Sequence, residues 1–304
     1  YFFHQPSHVV IAKSKDEIKS AFTTIDHLNR QGFWVAGYVT YESSPSFDPS
    51  FKTKTIPFKS FPYVWFIAQK DPYIYSHTSG TWNKPLPQKN THEIINYPEE
   101  LSVHPELSFV NYAKKITTIK KYISQGDTYQ VNFTFDHQIH SPVNPVDLYC
   151  YARQNQPTPF TALITHDHGS ILSFSPELFF ALSDHSLLTR PMKGTAPRGR
   201  FLEEDEEIAR NLSVDTKNCA ENVMIVDLLR NDMGRICKLN SIAVEHLFQI
   251  EKYPTVFQMT STIKGTILPK LSMYDIFSAL FPCGSVTGAP KIRTMEIIDE
   301  LEEG

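Results

Sequence analysis

Apolar positions recur at helical spacing in several stretches. Ile18, Phe22, Ile25 and Leu28 predict an amphipathic helix over Lys15–Gln31, with Ser14 or Asp16 as its cap. Ser108 is expected to cap a second helix running to Gln125, with Tyr112, Ile116, Ile119 and Ile123 facing inward and Gly126 stopping it. Further helices are predicted at Pro145–Arg153, Asp215–Arg230, Ser272–Leu280 and Pro290–Glu302. Short apolar runs bounded by polar turns predict strands at Phe33–Tyr41, Tyr63–Gln69, Tyr73–His77, Tyr129–Ile139, Phe160–Thr165, Ser170–Ser175, Leu178–Leu182, Ser186–Thr189, Ser241–Glu251 and Val256–Ile267. Strands joined by hairpin-length turns, with helices grouped elsewhere, predict an α+β fold with large antiparallel sheets. The prolines in Lys84–Pro98 read as a surface linker. It lies at the end of an N-terminal β-rich part, residues 1–100, expected to interweave with a chemistry-bearing region, residues 101–304.

Composition narrows the function classes. The 304 residues carry a net charge of −4, with 20% charged and 41% hydrophobic positions, so a real core is available and no basic surface for nucleic acid is indicated. No apolar run approaches the roughly 18 residues that cross a bilayer. The four cysteines form no CxxC pair and suggest neither a zinc site nor a disulfide framework, so a reduced, cytoplasmic setting is the expectation. The chain opens without methionine and stops inside a predicted helix, as a piece of a longer polypeptide would.

Four stretches could carry chemistry. On the Asp215–Arg230 helix, Glu221 shares a face with Met224, Ile225 and Leu228. Such a carboxylate either bends out to water at the stripe edge or meets a metal, a cation or a proton. Glu203–Glu207 reads instead as a solvated acidic face. Glu177 lies between the apolar runs Ile171–Phe174 and Leu178–Ala181. It is either an exposed Pro-Glu turn or a buried acid with a raised pKa. Arg190–Arg200 packs four cations, Lys193 among them, and such clustering would lower that amine's pKa and favour it as a nucleophile, with Gly194 permitting close backbone approach; otherwise it is an ordinary basic loop. Gly284–Lys291 opens the last helix as a glycine-rich turn suited to an anion. Ala289 and Pro290 rule against a phosphate-binding Walker loop there.

The order and spacing of these motifs, with Gly126–Asn132, Ser175–Glu177, Pro191–Thr195, Lys217–Asp232 and Phe281–Lys291, closely resemble the chorismate-utilising enzymes from about Ser108 onward. That resemblance implies an α+β fold of large antiparallel sheets with the active site between them, and chorismate bound through Mg²⁺ on its ring carboxylate. It casts Glu221 as a metal ligand and Glu177 as the acid that protonates the departing C4 hydroxyl. Gly194 and Thr195 would contact the ring carboxylate, beside a loop holding Ser285, Thr287 and Gly288.

Within the family, the chain is most similar to the branch that aminates chorismate at C4 on the para-aminobenzoate route to folate. That branch is a transferase class taking its ammonia from a glutamine amidotransferase subunit or domain. Members that add water carry a lysine where Gln130 stands. Anthranilate-forming members, the alternative reading, generally have alanine where Lys193 stands and often histidine in place of Gln258. A non-catalytic chorismate-binding chain is opposed by the presence of Glu177, Lys193 and Glu221 together. The family continues with an Arg-Gly-x-Tyr segment and a second metal-binding glutamate that this sequence does not contain, so the site is expected to be C-terminally truncated.

Overall fold

The computed structural model describes residues 1–56, 61–87 and 102–303. The predicted linker lies mostly outside them. The first helix, α1 (Ile18–Arg30), buries Ile18, Ala21, Phe22, Ile25 and Leu28, the predicted stripe plus one alanine. A 3₁₀ turn, Lys15–Glu17, leads into it, and the Glu17 carboxylate accepts the Lys13 and Ser14 amides at 2.7 and 3.2 Å. The stripe packs on a three-stranded antiparallel sheet in the order β1 (His8–Ala12), β3 (Val64–Gln69), β2 (Trp34–Val39). Only Val10 and Ala12 of β1 are buried, which makes it a half-buried edge strand. In the predicted strand Tyr73–His77 only β4 (Tyr75–Ser76) forms, paired with β5 (Thr81–Trp82).

Helix α2 (Phe109–Ser124) is capped by Ser108, whose side chain accepts the Asn111 amide. The predicted strand Tyr129–Ile139 is split. Its first part, β7 (Gln130–Val131), pairs with β16 (Gly288–Ala289), and its last, β8 (His137–His140), pairs with β6 (Ser102–Pro105). Two different partners in two places cannot be served by one straight ladder, so the chain bends between them. Helix α3 (Pro145–Asn155), capped by Asn144, precedes the hairpin β9 (Phe160–His166) and β10 (Gly169–Ser175).

The five-stranded antiparallel sheet forms the centre. Its spine is β15 (Val256–Thr266), with β14 (Ala243–Lys252) along one edge; β12 (Ser186–Arg190) and β13 (Met192–Pro197) follow one another along the other, and β11 (Leu178–Ser183) lies outside β12. Helix α5 (Thr216–Gly234), capped by Asp215, packs Ile225, Val226, Leu229 and Met233 with Leu187 and Ile263 of the sheet. Helix α6 (Met273–Leu280) is apolar on nearly every side because it joins two cores. Ile276, Ala279 and Leu280 face the α5 side, and Tyr274 and Phe277 pack with α1, the Phe277 ring 4.9 Å from that of Phe22. The last helix, α7, runs Lys291–Leu301, with Pro290 as its extended cap rather than its first helical residue.

One expectation about charge is corrected. Glu203–Glu207 opens an unanticipated helix, α4 (Leu202–Val214), and Asp205 within it is only 4% exposed rather than solvated. Asp205 is drawn inward by the Arg198 guanidinium at 2.7 Å and Lys252 at 2.8 Å. All four cysteines are free. No described helix is long and apolar enough to cross a membrane.

Candidate active site

The sheet register explains how Lys193 leaves the ladder. Thr189 opposite Ile263 and Met192 opposite Thr260 share one frame, but Thr195 opposite Gln258 is shifted by one. Lys193 and Gly194 together therefore face Met259 alone, which is a bulge, a device that re-aims side chains at sheet edges. Gly194 adopts φ +106° there, and a Cβ would stand 3.1 Å from the Met259 Cβ and 3.3 Å from the Asn218 Cβ. A second irregularity lies in β11, where Phe179 and Phe180 stand between Leu178 opposite Arg190 and Ala181 opposite Leu188. Glu177 is the residue immediately before that strand.

Glu177 and Lys193 act on one another. Burial pushes the Glu177 carboxyl up; the Ser285 hydroxyl, the Lys193 charge and the Met192 amide pull it down without cancelling that effect. Its Oε1 is buried with no hydrogen-bond partner among the described residues, so Glu177 is not the exposed-turn residue that the sequence left open. An orphaned, hard-to-ionise oxygen suits a carboxyl that keeps its proton for a ligand. Gln130 Oε1 is buried without a partner as well.

Lys193 has the lowered pKa that was expected, but for a different reason. Burial lowers it, while Glu177, Glu221 and Cys283 raise it again. The neighbouring cations are engaged elsewhere: Arg190 with Glu251 at 3.5 Å, Arg198 with Asp205, and Arg200 with Glu204 at 3.0 Å. Desolvation, not like charge, disfavours the ammonium form.

Helix α5 runs beneath the bulge and meets it with Asn218, Glu221 and Asn222, on adjacent turns of one face. The sequence pattern missed Asn222. An amide in mid-helix beside an apolar stripe is the signal that could have found it, because such a group needs buried partners. Its Nδ2 donates to the Lys193 carbonyl at 3.2 Å and the Met259 carbonyl at 3.4 Å, and its Oδ1 accepts the Ser261 hydroxyl at 2.5 Å. Glu221 sits at the stripe edge, its side chain 36% exposed and 3.8 Å from Lys217.

Around these residues the remaining candidates fall on two elements. Thr195, past the bulge, donates to Gln258 Oε1 at 2.8 Å. Ser285 and Thr287 are buried in the loop before α7; the Ser285 hydroxyl lies 3.1 Å from Cys283 Sγ, and the Thr287 hydroxyl donates to the Cys283 carbonyl at 3.0 Å. Gly288 lets this loop lie against β7, since a Cβ there would stand 2.0 Å from the Gln130 carbonyl oxygen.

Residues 2–304 match the chorismate binding enzyme family. This chain belongs to it. Among curated relatives, aminodeoxychorismate synthase component 1 of Escherichia coli K12 is 42% identical over 193 residues, 63% of this chain and 42% of that protein. An anthranilate synthase component I-like protein of Synechocystis is 33% identical over 294 residues, 91% of this chain and 60% of its own length. The crystal structure of anthranilate synthase component I from Streptococcus pneumoniae superposes with a TM-score of 0.77 at 26% identity, covering 89% of this chain and 66% of that one. The chain thus spans less than two thirds of each of these relatives.

No group of three or more His, Cys, Asp or Glu side chains that could hold a metal exists among the described residues. Glu221 nevertheless fits as a single ligand. It is a partly exposed carboxylate with only a loose ion pair, and Mg²⁺ is commonly held by one or two carboxylates plus substrate oxygens and water.

Proposed function

We propose that this chain is the chorismate-converting component of an aminodeoxychorismate synthase, making 4-amino-4-deoxychorismate for para-aminobenzoate and folate synthesis. The observation that carries the reading is Lys193, half-buried on a strand bulge within electrostatic reach of Glu177 and Glu221.

In this reading Glu177 holds its proton at the carboxyl until the C4 hydroxyl of chorismate departs, and gives it up so that water leaves. The Lys193 amine, whose neutral form desolvation favours, supplies its electron pair to ring C2 as both ring double bonds shift towards C4 and the C4–O bond breaks. Ammonia then forms the bond at C4 and the C2–N bond to lysine breaks, which restores Lys193. A tethered amine at high effective concentration replaces a small, poorly held nucleophile in the first step. Glu221 would hold Mg²⁺, which when bound neutralises the substrate's ring carboxylate. Gly194, Thr195 and the Ser285–Gly288 loop would receive that end of the ring. A glutamine amidotransferase subunit or domain would deliver the ammonia, in the cytoplasm.

The anthranilate-forming alternative is favoured by the Synechocystis relative's name, and one experiment separates the two. The full-length protein is incubated with chorismate, Mg²⁺ and ammonium, and the products are resolved by mass. Aminodeoxychorismate is expected, with a loss of at least about 10²-fold in Lys193→Ala. Anthranilate and pyruvate, formed equally well by Lys193→Ala, would overturn the proposal.

A further inference from the structure

A strand bulge breaks the ladder and leaves backbone groups that need new partners. Bulges flank β15 on both sides. One is at Lys193–Gly194 in β13. Across from it, one of the two in β14 lies between His246 and Gln249, where Phe248 adopts φ +57°. Asn222 and Ser261 join them through the interior. The Phe248 amide donates to Ser261 Oγ at 3.2 Å, the Ser261 hydroxyl donates to Asn222 Oδ1, and Asn222 Nδ2 ends the run on the carbonyls of Lys193 and Met259. Asn222 is 1% exposed and Ser261 is wholly buried.

The chain of bonds has one direction. Phe248 can only donate, the two carbonyls can only accept, and a reversed Asn222 amide would set oxygen against oxygen. The amide is therefore fixed, and so is the carbonyl of the residue whose amine is the proposed nucleophile. We infer that Asn222, held by Ser261, is a positioning residue for Lys193: it pins the bulge from the helix side, and so keeps the amine buried and correctly placed. The consequence for turnover rests on the reading of Lys193 given above. The consequence for the burial of Lys193 does not.

The test uses the full-length protein and two variants. Asn222→Leu removes the whole amide; Ser261→Ala leaves the amide in place and removes only the donor that orients it, so the question survives if the first variant does not fold. Two quantities are measured. One is kcat and KM for chorismate. The other is the pH midpoint at which Lys193 becomes reactive towards an amine-acylating reagent, read by mass spectrometry of its peptide.

A loosened bulge lets water reach the amine, so the midpoint should rise towards that of ordinary lysine in both variants, more in Asn222→Leu. Misplacement of the reacting group should lower kcat by about 10²-fold with KM changed less than about threefold. A labelling midpoint that stays at the native value in every folded variant overturns the inference, whatever kcat does. A raised midpoint with native kcat upholds the positioning of Lys193 and removes it instead as the nucleophile.

Discussion

Lys291 and Asp232 form a buried ion pair, Nζ to Oδ2 2.6 Å, with the two side chains 8% and 7% exposed. The pair ties the start of α7 to the last turns of α5, on either side of the loop that carries Ser285 and Gly288. Burial pushes the Asp232 carboxyl up even with Lys291 beside it, so desolvation outweighs attraction. Lys291→Met, which strands the carboxylate, should lower unfolding free energy by about 3–5 kcal/mol in urea titration. The double variant Lys291→Met/Asp232→Leu should recover most of that loss. A double variant no more stable than the single one would mean that the pair is a net stabiliser.

Asp205 behaves oppositely. Its bidentate partner Arg198, Lys252 and the Gly199 amide hold its carboxyl well below the usual carboxylate range. A lowered folded pKa contributes stability that is present above the unfolded value near 3.8 and is lost as pH falls through the folded value. Unfolding curves of the native protein and Asp205→Asn should therefore be separated by a constant margin at neutral pH and converge in strong acid. A margin that is unchanged at pH 2 would contradict the assignment.

What sequence could reveal follows the range of the interactions concerned. The cap at Ser108 and the α1 stripe are local in the chain, and each appears where its spacing placed it. Glu177 and Lys193 were legible as candidates, the first because it interrupts an apolar run and the second because it lies in a cluster of cations. The cause of the Lys193 shift was not visible. The partners of Arg190 and Lys252 lie 61 and 47 positions away, and no spacing rule couples them. The bulges, the split of Tyr129–Ile139 and the acidic start of α4 are settled by a strand or cation brought up by the fold. Asn222 belongs to the same class, since its meaning depends on a carbonyl that only the bulge exposes.

Gly288 offers a test of the loop. It adopts φ +142°, and an added Cβ would lie 2.0 Å from the Gln130 carbonyl oxygen and 2.8 Å from the Thr294 Cγ2. Gly288→Ala must therefore part β16 from β7, at roughly 3 kcal/mol. Hydrogen exchange should accelerate at the Tyr129 and Asn132 amides, which donate to the Ala289 and Thr287 carbonyls at 2.8 Å each. Gly126, at φ +80° with open space around it, is the control; Gly126→Ala should cost only about 1 kcal/mol and leave those amides protected.

The pH dependence of chorismate consumption follows from the two shifted groups. In the proposed reaction the productive form has Glu177 protonated and Lys193 neutral, the reverse of what unperturbed carboxyls and amines hold at neutral pH. Its population is flat between the two pKa values, falls below the Glu177 value because lysine fills with protons, and falls above the Lys193 value because the acid is empty. The plateau rises tenfold for each unit by which the gap narrows. Burial closes the gap from both ends, raising Glu177 above 4.5 and lowering Lys193 below 10.5. Single-turnover rates, which keep the ammonium equilibrium out of the measurement, should trace a bell whose acid limb lies above 4.5 and whose alkaline limb lies below 10.5. Because the groups interact, the limbs belong to the pair. In Glu177→Gln the rate should fall about 10²–10⁴-fold, and the shape should change from a bell to a single rise that follows lysine deprotonation with no alkaline decline. A variant that keeps both limbs would show that Glu177 is not the acid.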